Sequence, residues 1–212
     1  MFKTYITSKI FSDLSHDLTE SFNALTIDTV NYNNTAFQSR SRHFSAFSFE
    51  NGEHKLNVAH MDHFNKKQAF HTKYLPTGLA PIDSHLIEGI SDLLNEVAGT
   101  LPIDSEEYII GVNQIRVIAN SENMGMPAPS LHQDGSEFSC HINISRENVS
   151  GGDSILSLSK DPKDVFLEHT LQPNEYVFFN DKELYHTATP ITPKIGGYKT
   201  HRDMLILDYM RK

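Results

Sequence analysis

The chain has 212 residues, a formal net charge of −9, 38% hydrophobic and 21% charged residues, and one cysteine. The acidic balance argues against a nucleic-acid or anionic-membrane partner, because those partners select a basic face. A single cysteine excludes an internal disulfide framework, the start "MFKTYITSKIFSDLSHD" lacks a signal peptide's apolar centre, and no apolar run approaches the ~18–20 residues that span a bilayer; a cytoplasmic protein of one domain, 1–212, is expected.

In "FSDLSHDLTESFNAL", Phe11, Leu14, Leu18, Phe22 and Leu25 recur at three- and four-residue steps, which predicts an amphipathic helix over 11–25. Residues 30–60 are aromatic-rich and broken by Asn-Asn and Asn-Gly, the pattern of short strands and turns. "PIDSHLIEGISDLLNEVAG" predicts a second helix, capped by Asp83, ended by Gly99, and burying Leu86, Ile87, Ile90, Leu93, Leu94 and Val97. From residue 108 the period changes to two. "YIIGVNQIRVIAN" predicts a strand, "SENMGMPAPS" a loop, and a further strand begins near Leu131. "DSILSLS", "DVFLEHTL", "NEYVFFND", "ELYHTATPI" and "DMLILDYM" follow as short strands between Gly, Pro, Asn and Asp. Helices followed by many short strands, with no alternation of the two, predict a mainly β antiparallel barrel or jelly roll with N-terminal helical support. The support covers roughly 1–105 and the core roughly 106–212.

Three His-x-Asp triplets occur: His60-Met61-Asp62, His132-Gln133-Asp134 and His201-Arg202-Asp203. On a strand, residues i and i+2 share a side about 6.5–7 Å apart, so His132 and Asp134 can aim an imidazole and a carboxylate at one point. His186, three or four strands later, can return beside them and complete a two-His, one-carboxylate face. The triplet at 201 has too little chain after it for a later histidine to return, and the one at 60 lies beside Lys66 and Lys67, which repel a cation. Hydrogen-bonded polar residues at barrel edges remain the competing reading of the set at 132, 134 and 186. Arg202, opening the last alternating strand, offers a guanidinium suited to paired hydrogen bonding with a dicarboxylate.

"HQDG" (132–135), "RENVSGGDSIL" (146–156), "NDKELYHTATPI" (180–191) and "HRDMLILDY" (201–209), with "QIRV" (114–117) and "RSRHF" (40–44), together resemble the bacterial 2-oxoglutarate/Fe(II) dioxygenases that hydroxylate free L-amino acids, typified by L-isoleucine 4-hydroxylase. The likeness spans roughly residues 40–209. It implies a double-stranded β-helix (jelly-roll, cupin-like) core. It also implies an Fe(II) site on His132, Asp134 and His186, with 2-oxoglutarate and O2 as co-substrates. Arg202 takes the distal carboxylate of 2-oxoglutarate, with Thr189 shaping that pocket, and the products include succinate and CO2. "TPKIGGYKTH" and "SEFSC" depart from the family pattern and leave the substrate open.

A free amino acid needs a cationic partner for its carboxylate and an acceptor for its ammonium. Gln114 and Arg116 share one strand face, which either lines the pocket or meets solvent. Arg40 and Arg42 are rival carboxylate partners, and Glu137 or Asp153 a candidate ammonium acceptor. Asn148 holds the "NVSGG" turn, Gly151 and Gly152 serve the backbone there, Cys140 reads as a small buried apolar group, and His141 and His169 are given no metal role. Two other functions stay open: a cupin-like metal enzyme that does not use 2-oxoglutarate, and a non-catalytic metal-binding stress protein. Monomer and homodimer are equally compatible with the sequence.

Overall fold

The β-rich second half of the sequence folds around one long antiparallel sheet. The computed structural model describes residues 5–10, 12, 14–27, 39–57, 79–127 and 130–212. From the first half come strands β1 (Tyr5–Lys9), β2 (Arg40–Glu50) and β3 (Glu53–Leu56), with helices α1 (His16–Ser21) and α2 (Ile87–Ala98). From the second come β4 (Tyr108–Ala119), β5 (Phe138–Glu147), β6 (Val149–Gly151), β7 (Ser154–Ser157), β8 (Val165–His169), β9 (Glu175–Asn180), β10 (Tyr185–Ala188), β11 (Ile191–Pro193) and β12 (Thr200–Arg211). The seven-stranded sheet runs β1-β9-β5-β12-β4-β2-β3, while β10-β7-β8 and β11-β6 form two smaller sheets. This is the mainly β, double-stranded β-helix arrangement expected, and three strands from the N-terminal part extend its large sheet.

Alternation along the central strands divides the residues between two environments. Tyr108, Ile110 and Val112 of β4, Cys140, Ile142 and Ile144 of β5, and Leu205, Leu207 and Tyr209 of β12 pack with Leu18 of α1, Phe22, and Ile90, Leu93, Leu94 and Val97 of α2. Each fully buried Leu or Ile there contributes about 1.5–3 kcal/mol. The residues between these positions face the other way, where Val177, Phe179 and Met204 meet Leu156, Leu171 and Leu184. Both faces of the large sheet are therefore covered, and its polar inner positions are enclosed.

Four local expectations change. The first helix is α1 alone, prolonged by a 3-10 turn over Phe22–Ala24, because Ser15 caps it: the Ser15 hydroxyl accepts from the Leu18 N–H at 3.1 Å. Phe11 lies outside the described residues. The second helix opens with a 3-10 turn, Ser84–Leu86, and Asp83 makes no side-chain cap there. Residues 40–50 form one long strand rather than several short ones, turning into β3 through Asn51 and Gly52, both at positive φ (54° and 87°), the geometry of a two-residue hairpin. The strand expected near Leu131 starts at Phe138 instead. Gly135, at φ 86°, breaks the extended run in a conformation that a side chain would strain.

Candidate metal centre

His132 and His186 come together through their main chains. The His132 N–H donates to the His186 carbonyl at 3.0 Å, and the His186 N–H returns the bond at 2.9 Å. Directly paired antiparallel residues project their side chains to the same side, and the two rings lie 4.4 Å apart, centroid to centroid. Gly135 then turns the chain so that Asp134 reaches both rings. Its Oδ1 is 3.5 Å from His132 Nε2 and its Oδ2 3.3 Å from His186 Nε2. One donor atom from each residue lies within 4.8 Å of the others, and this is the one such cluster found among the described residues. A divalent ion about 2.0–2.2 Å from each donor fits that triangle, and two imidazoles with one carboxylate are the donor set suited to non-heme Fe(II).

Burial alone would raise the Asp134 carboxyl, but hydrogen bonds and charge from His132 and His186 hold it well below the usual carboxylate range. Burial alone would lower His186, but the Asp134 and Asp181 carboxylates outweigh it and bring its pKa to about 10. The far nitrogens are also positioned. His132 Nδ1 sits 2.8 Å from the Ser130 carbonyl, so its N–H donates there and leaves Nε2 as the ligating atom. His186 Nδ1 faces Asp181 Oδ1 at 3.2 Å. Asp181 is fully buried, and its other oxygen accepts from the Gly135 N–H at 2.8 Å and the Ser136 hydroxyl at 3.3 Å. One carboxylate thus ties the third donor to the loop that carries the first two. Nothing in "FFND" announces it, since an Asp ending a strand reads as a turn residue.

Arg202 lies on the inner face of β12 and is 2% exposed. Its Nε donates to Asn143 Oδ1 at 3.2 Å and its Nη2 to Ser154 Oγ at 3.4 Å, and no carboxylate pairs with it among the described residues. Burial, then the neighbouring Arg146 charge, draw its pKa down to about 9, with Asp153 opposing. A buried guanidinium left charged in this way is a receptor for an anion. Gly152 permits its position: a Cβ there would stand 2.8 Å from Ile191 Cγ2 and 3.1 Å from Arg202 Cδ. Between the triad and Arg202, on the same face of β5, His141 Nε2 and Asn143 Nδ2 are buried without hydrogen-bond partners. The His141 ring meets His186 edge-on at 5.0 Å. Burial first, then the His186 charge, hold His141 well below its ordinary value, so it is a neutral imidazole. The inner face therefore carries a set of metal donors, a buried cation and unpaired polar atoms on His141 and Asn143, a combination of groups that fits Fe(II) with a 2-oxo dicarboxylate.

The other expected residues are placed differently. Gln114 and Arg116 do share a face, but it is the helix-covered one, neither pocket nor solvent: Gln114 Nε2 donates to Ser21 Oγ at 2.5 Å. Arg116 pairs with Asp203 (2.6 and 2.8 Å) and donates to Asn23 at 2.6 Å. That network, with His201 Nε2 at 3.4 Å from Asp203, absorbs the triplet at 201 into structure. The triplet at 60 lies outside the described residues. Glu137 is committed to Arg211 and Lys182, whose attraction offsets burial and holds its pKa at about 2. The Thr189 hydroxyl donates to Asp153 Oδ2 at 3.1 Å and accepts from the Asp153 N–H at 2.9 Å, so it braces the turn behind Arg202. Arg40 Nη1 donates to the Pro127 carbonyl at 3.0 Å. Arg42 Nε donates to Asn113 Oδ1 at 3.0 Å, and Asn113 Nδ2 to Asp208 Oδ2 at 2.9 Å, which places Arg42 on the inner face.

The sequence matches the 2OG-Fe dioxygenase family over residues 19–208, so the chain belongs to that family. Fe(II), 2-oxoglutarate and O2 are the cofactor and co-substrates this implies, and the protein is an oxidoreductase. Among solved structures, the fold is similar to IDO from Bacillus thuringiensis (18% identity, TM-score 0.72, covering 99% of this chain and 91% of that one). A bsmA homolog from Methylobium petroleophilum PM1 is similar at 21% identity and TM-score 0.69, over 92% of this chain and 79% of that one. The Fe(II)/(alpha)ketoglutarate-dependent dioxygenase TqaL follows at 13% identity and TM-score 0.66, over 98% and 82%. At these identities the likeness is one of fold. A search of curated proteins finds no match. Among the described residues, no helix is long and apolar enough to cross a membrane.

Proposed function

We propose that this protein is a dioxygenase that hydroxylates an aliphatic carbon of a free L-amino acid or a similarly small molecule, with release of succinate and CO2. His132, Asp134 and His186 hold the Fe(II), and Arg202 receives the distal carboxylate of 2-oxoglutarate. The observation that carries this reading is the buried Arg202 without a carboxylate partner among the described residues, on the same inner face as the triad's neighbour His141. Metal and co-substrate, when bound, supply the oxidising chemistry. The protein's own residues bind, orient and exclude water. The Ser130 carbonyl and Asp181 fix the two imidazoles, and Asn143 and Ser154 fix the guanidinium. No side chain is needed as a general acid or base.

For the substrate carboxylate, Arg40 and Arg42 stay the candidates; Arg42 lies on the inner face beside Ile115, where Asn113 holds its guanidinium, whereas Arg116 faces the helices. An amino-acid substrate is supported by the sequence blocks at 132–135, 146–156 and 180–191. The chain acts as one catalytic unit over 1–212, in the cytoplasm, as a monomer or homodimer, with no nucleic-acid or membrane partner.

The test is anaerobic reconstitution with Fe(II), then exposure to air with 2-oxoglutarate and pooled L-amino acids. Succinate that depends on an amino acid, together with a product heavier by one oxygen atom, is the expected result. Succinate formation that no amino acid stimulates would overturn the substrate assignment. Metal binding without any 2-oxoglutarate turnover would favour the cupin-like or non-catalytic alternatives.

A further inference from the structure

β5 carries two donors that the metal and Arg202 leave unused. Its inner face presents Ser139, His141 and Asn143 in succession, and the last two are the ones with buried, unpartnered nitrogens, His141 Nε2 and Asn143 Nδ2. Their orientation is fixed by what they touch. Arg202 Nε has only a proton to offer, so the Asn143 oxygen must face it, and the amide nitrogen is then turned away from the guanidinium. The His141 ring is held edge-on between His186 at 5.0 Å and Phe179 at 5.1 Å. His186 Nε2 faces Asp134 Oδ2 at 3.3 Å and its Nδ1 faces Asp181 Oδ1 at 3.2 Å, so both of its nitrogens are directed at carboxylates rather than at His141. His141 is paired across the sheet with Ile206, and these two are less buried than their flanking neighbours on either strand. Burying two polar nitrogens unpaired costs free energy that a ligand with acceptors beside them recovers.

We infer that His141 Nε2 and Asn143 Nδ2 donate hydrogen bonds to 2-oxoglutarate, His141 at its metal-proximal end and Asn143, beside Arg202, at its distal carboxylate. The inference rests on the proposed reading of the triad and Arg202. It adds that recognition is shared along β5 rather than left to the guanidinium alone, and it assigns the two ends of the co-substrate to different residues.

The experiment is calorimetric titration of Mn(II)-loaded protein, without O2, with 2-oxoglutarate and with 2-oxobutanoate, which keeps the keto acid but lacks the distal carboxylate. Mn(II) affinity is measured separately for every variant. Asn143→Leu is expected to weaken 2-oxoglutarate about tenfold and to leave 2-oxobutanoate unchanged, whereas His141→Phe weakens both about tenfold. His141→Gln, which restores a donor, recovers part of the loss. Should Asn143→Leu fail to fold, Asn143→Ser keeps an oxygen for the Arg202 Nε proton, removes the amide nitrogen, and is expected to weaken 2-oxoglutarate severalfold while leaving 2-oxobutanoate unchanged. Mn(II) affinity stays within threefold of wild type throughout, on the order of ordinary measurement scatter. Variants that bind 2-oxoglutarate as wild type does, or that lose it only in proportion to lost Mn(II), overturn the inference. Wild-type protein that binds Mn(II) but not 2-oxoglutarate overturns the proposed function itself, and the inference with it, which is a distinguishable result.

Discussion

Asp181 Oδ1 lies 3.2 Å from His186 Nδ1, in a carboxylate with no exposure to solvent. Such an outer carboxylate fixes ring orientation and raises ligand basicity, and its loss usually costs 10–100-fold in metal affinity. Asp181→Asn keeps an oxygen for the Gly135 N–H but removes the charge facing His186. A Mn(II) or Fe(II) affinity reduced by about 10–100-fold, with the fold intact by circular dichroism, is the expected outcome. Unchanged affinity would reduce Asp181 to a brace for the loop.

Arg202→Ala removes a charged fork whose hydrogen bonds are worth about 1.5–3 kcal/mol each. The apparent KM for 2-oxoglutarate should rise about 100-fold with little change in metal affinity, and Arg202→Lys should fall between the two because an ammonium cannot make the paired contact. Steady-state kinetics over a wide 2-oxoglutarate range settle it. A neutral Arg202→Ala variant would mean that no dicarboxylate is bound there.

Arg116 gives the opposite pattern. Its partner Asp203 is buried, and burial, which would raise that carboxyl, is outweighed by Arg116 and His201, so the charge is retained. Arg116→Ala strands this charge and should cost about 3–5 kcal/mol in urea unfolding. Protein that remains folded at low temperature should bind 2-oxoglutarate as wild type does. A selective loss of substrate or co-substrate affinity without loss of stability would instead return Arg116 to the pocket.

The pH dependence follows from His186. In the metal-free protein its pKa is raised to about 10, above its ordinary value of 6.5, so the stabilisation from its carboxylate partners is complete below 6.5 and is lost as pH rises through about 10. A metal ion must displace that proton. Affinity should therefore rise with pH between these limits, by up to about tenfold per unit, so the stabilisation by fixed excess Mn(II) should be larger at pH 8.5 than at pH 6.5. The measurement is the Tm gain on adding Mn(II) across that range, and a gain independent of pH would show that His186 is already deprotonated.

The metal triad was legible in the sequence because its parts are short and ordered: a His-x-Asp triplet and a later His. The fold class was legible from the change of period at residue 108. Period two says which residues share a face but not what covers it, and that is why Gln114 and Arg116 were assigned to pocket or solvent when α1 and Asp203 cover them. The 11–25 periodicity overran because a cap, Ser15, decides where the helix begins. Asp181, His141 and Asn143 left no local signal, since each acquires its place through contacts made across the fold. Gly152 was legible as a turn residue, whereas its approach to Arg202 was not.

The paired amides that fasten position 132 to position 186 belong to the peptide backbone and are indifferent to which side chains they carry. The width of the cleft is thereby inherited from the sheet rather than imposed by the ion. Pruning one imidazole to glycine would leave a notch of the same outline, into which free imidazole from the buffer could slip and stand in for the missing ring.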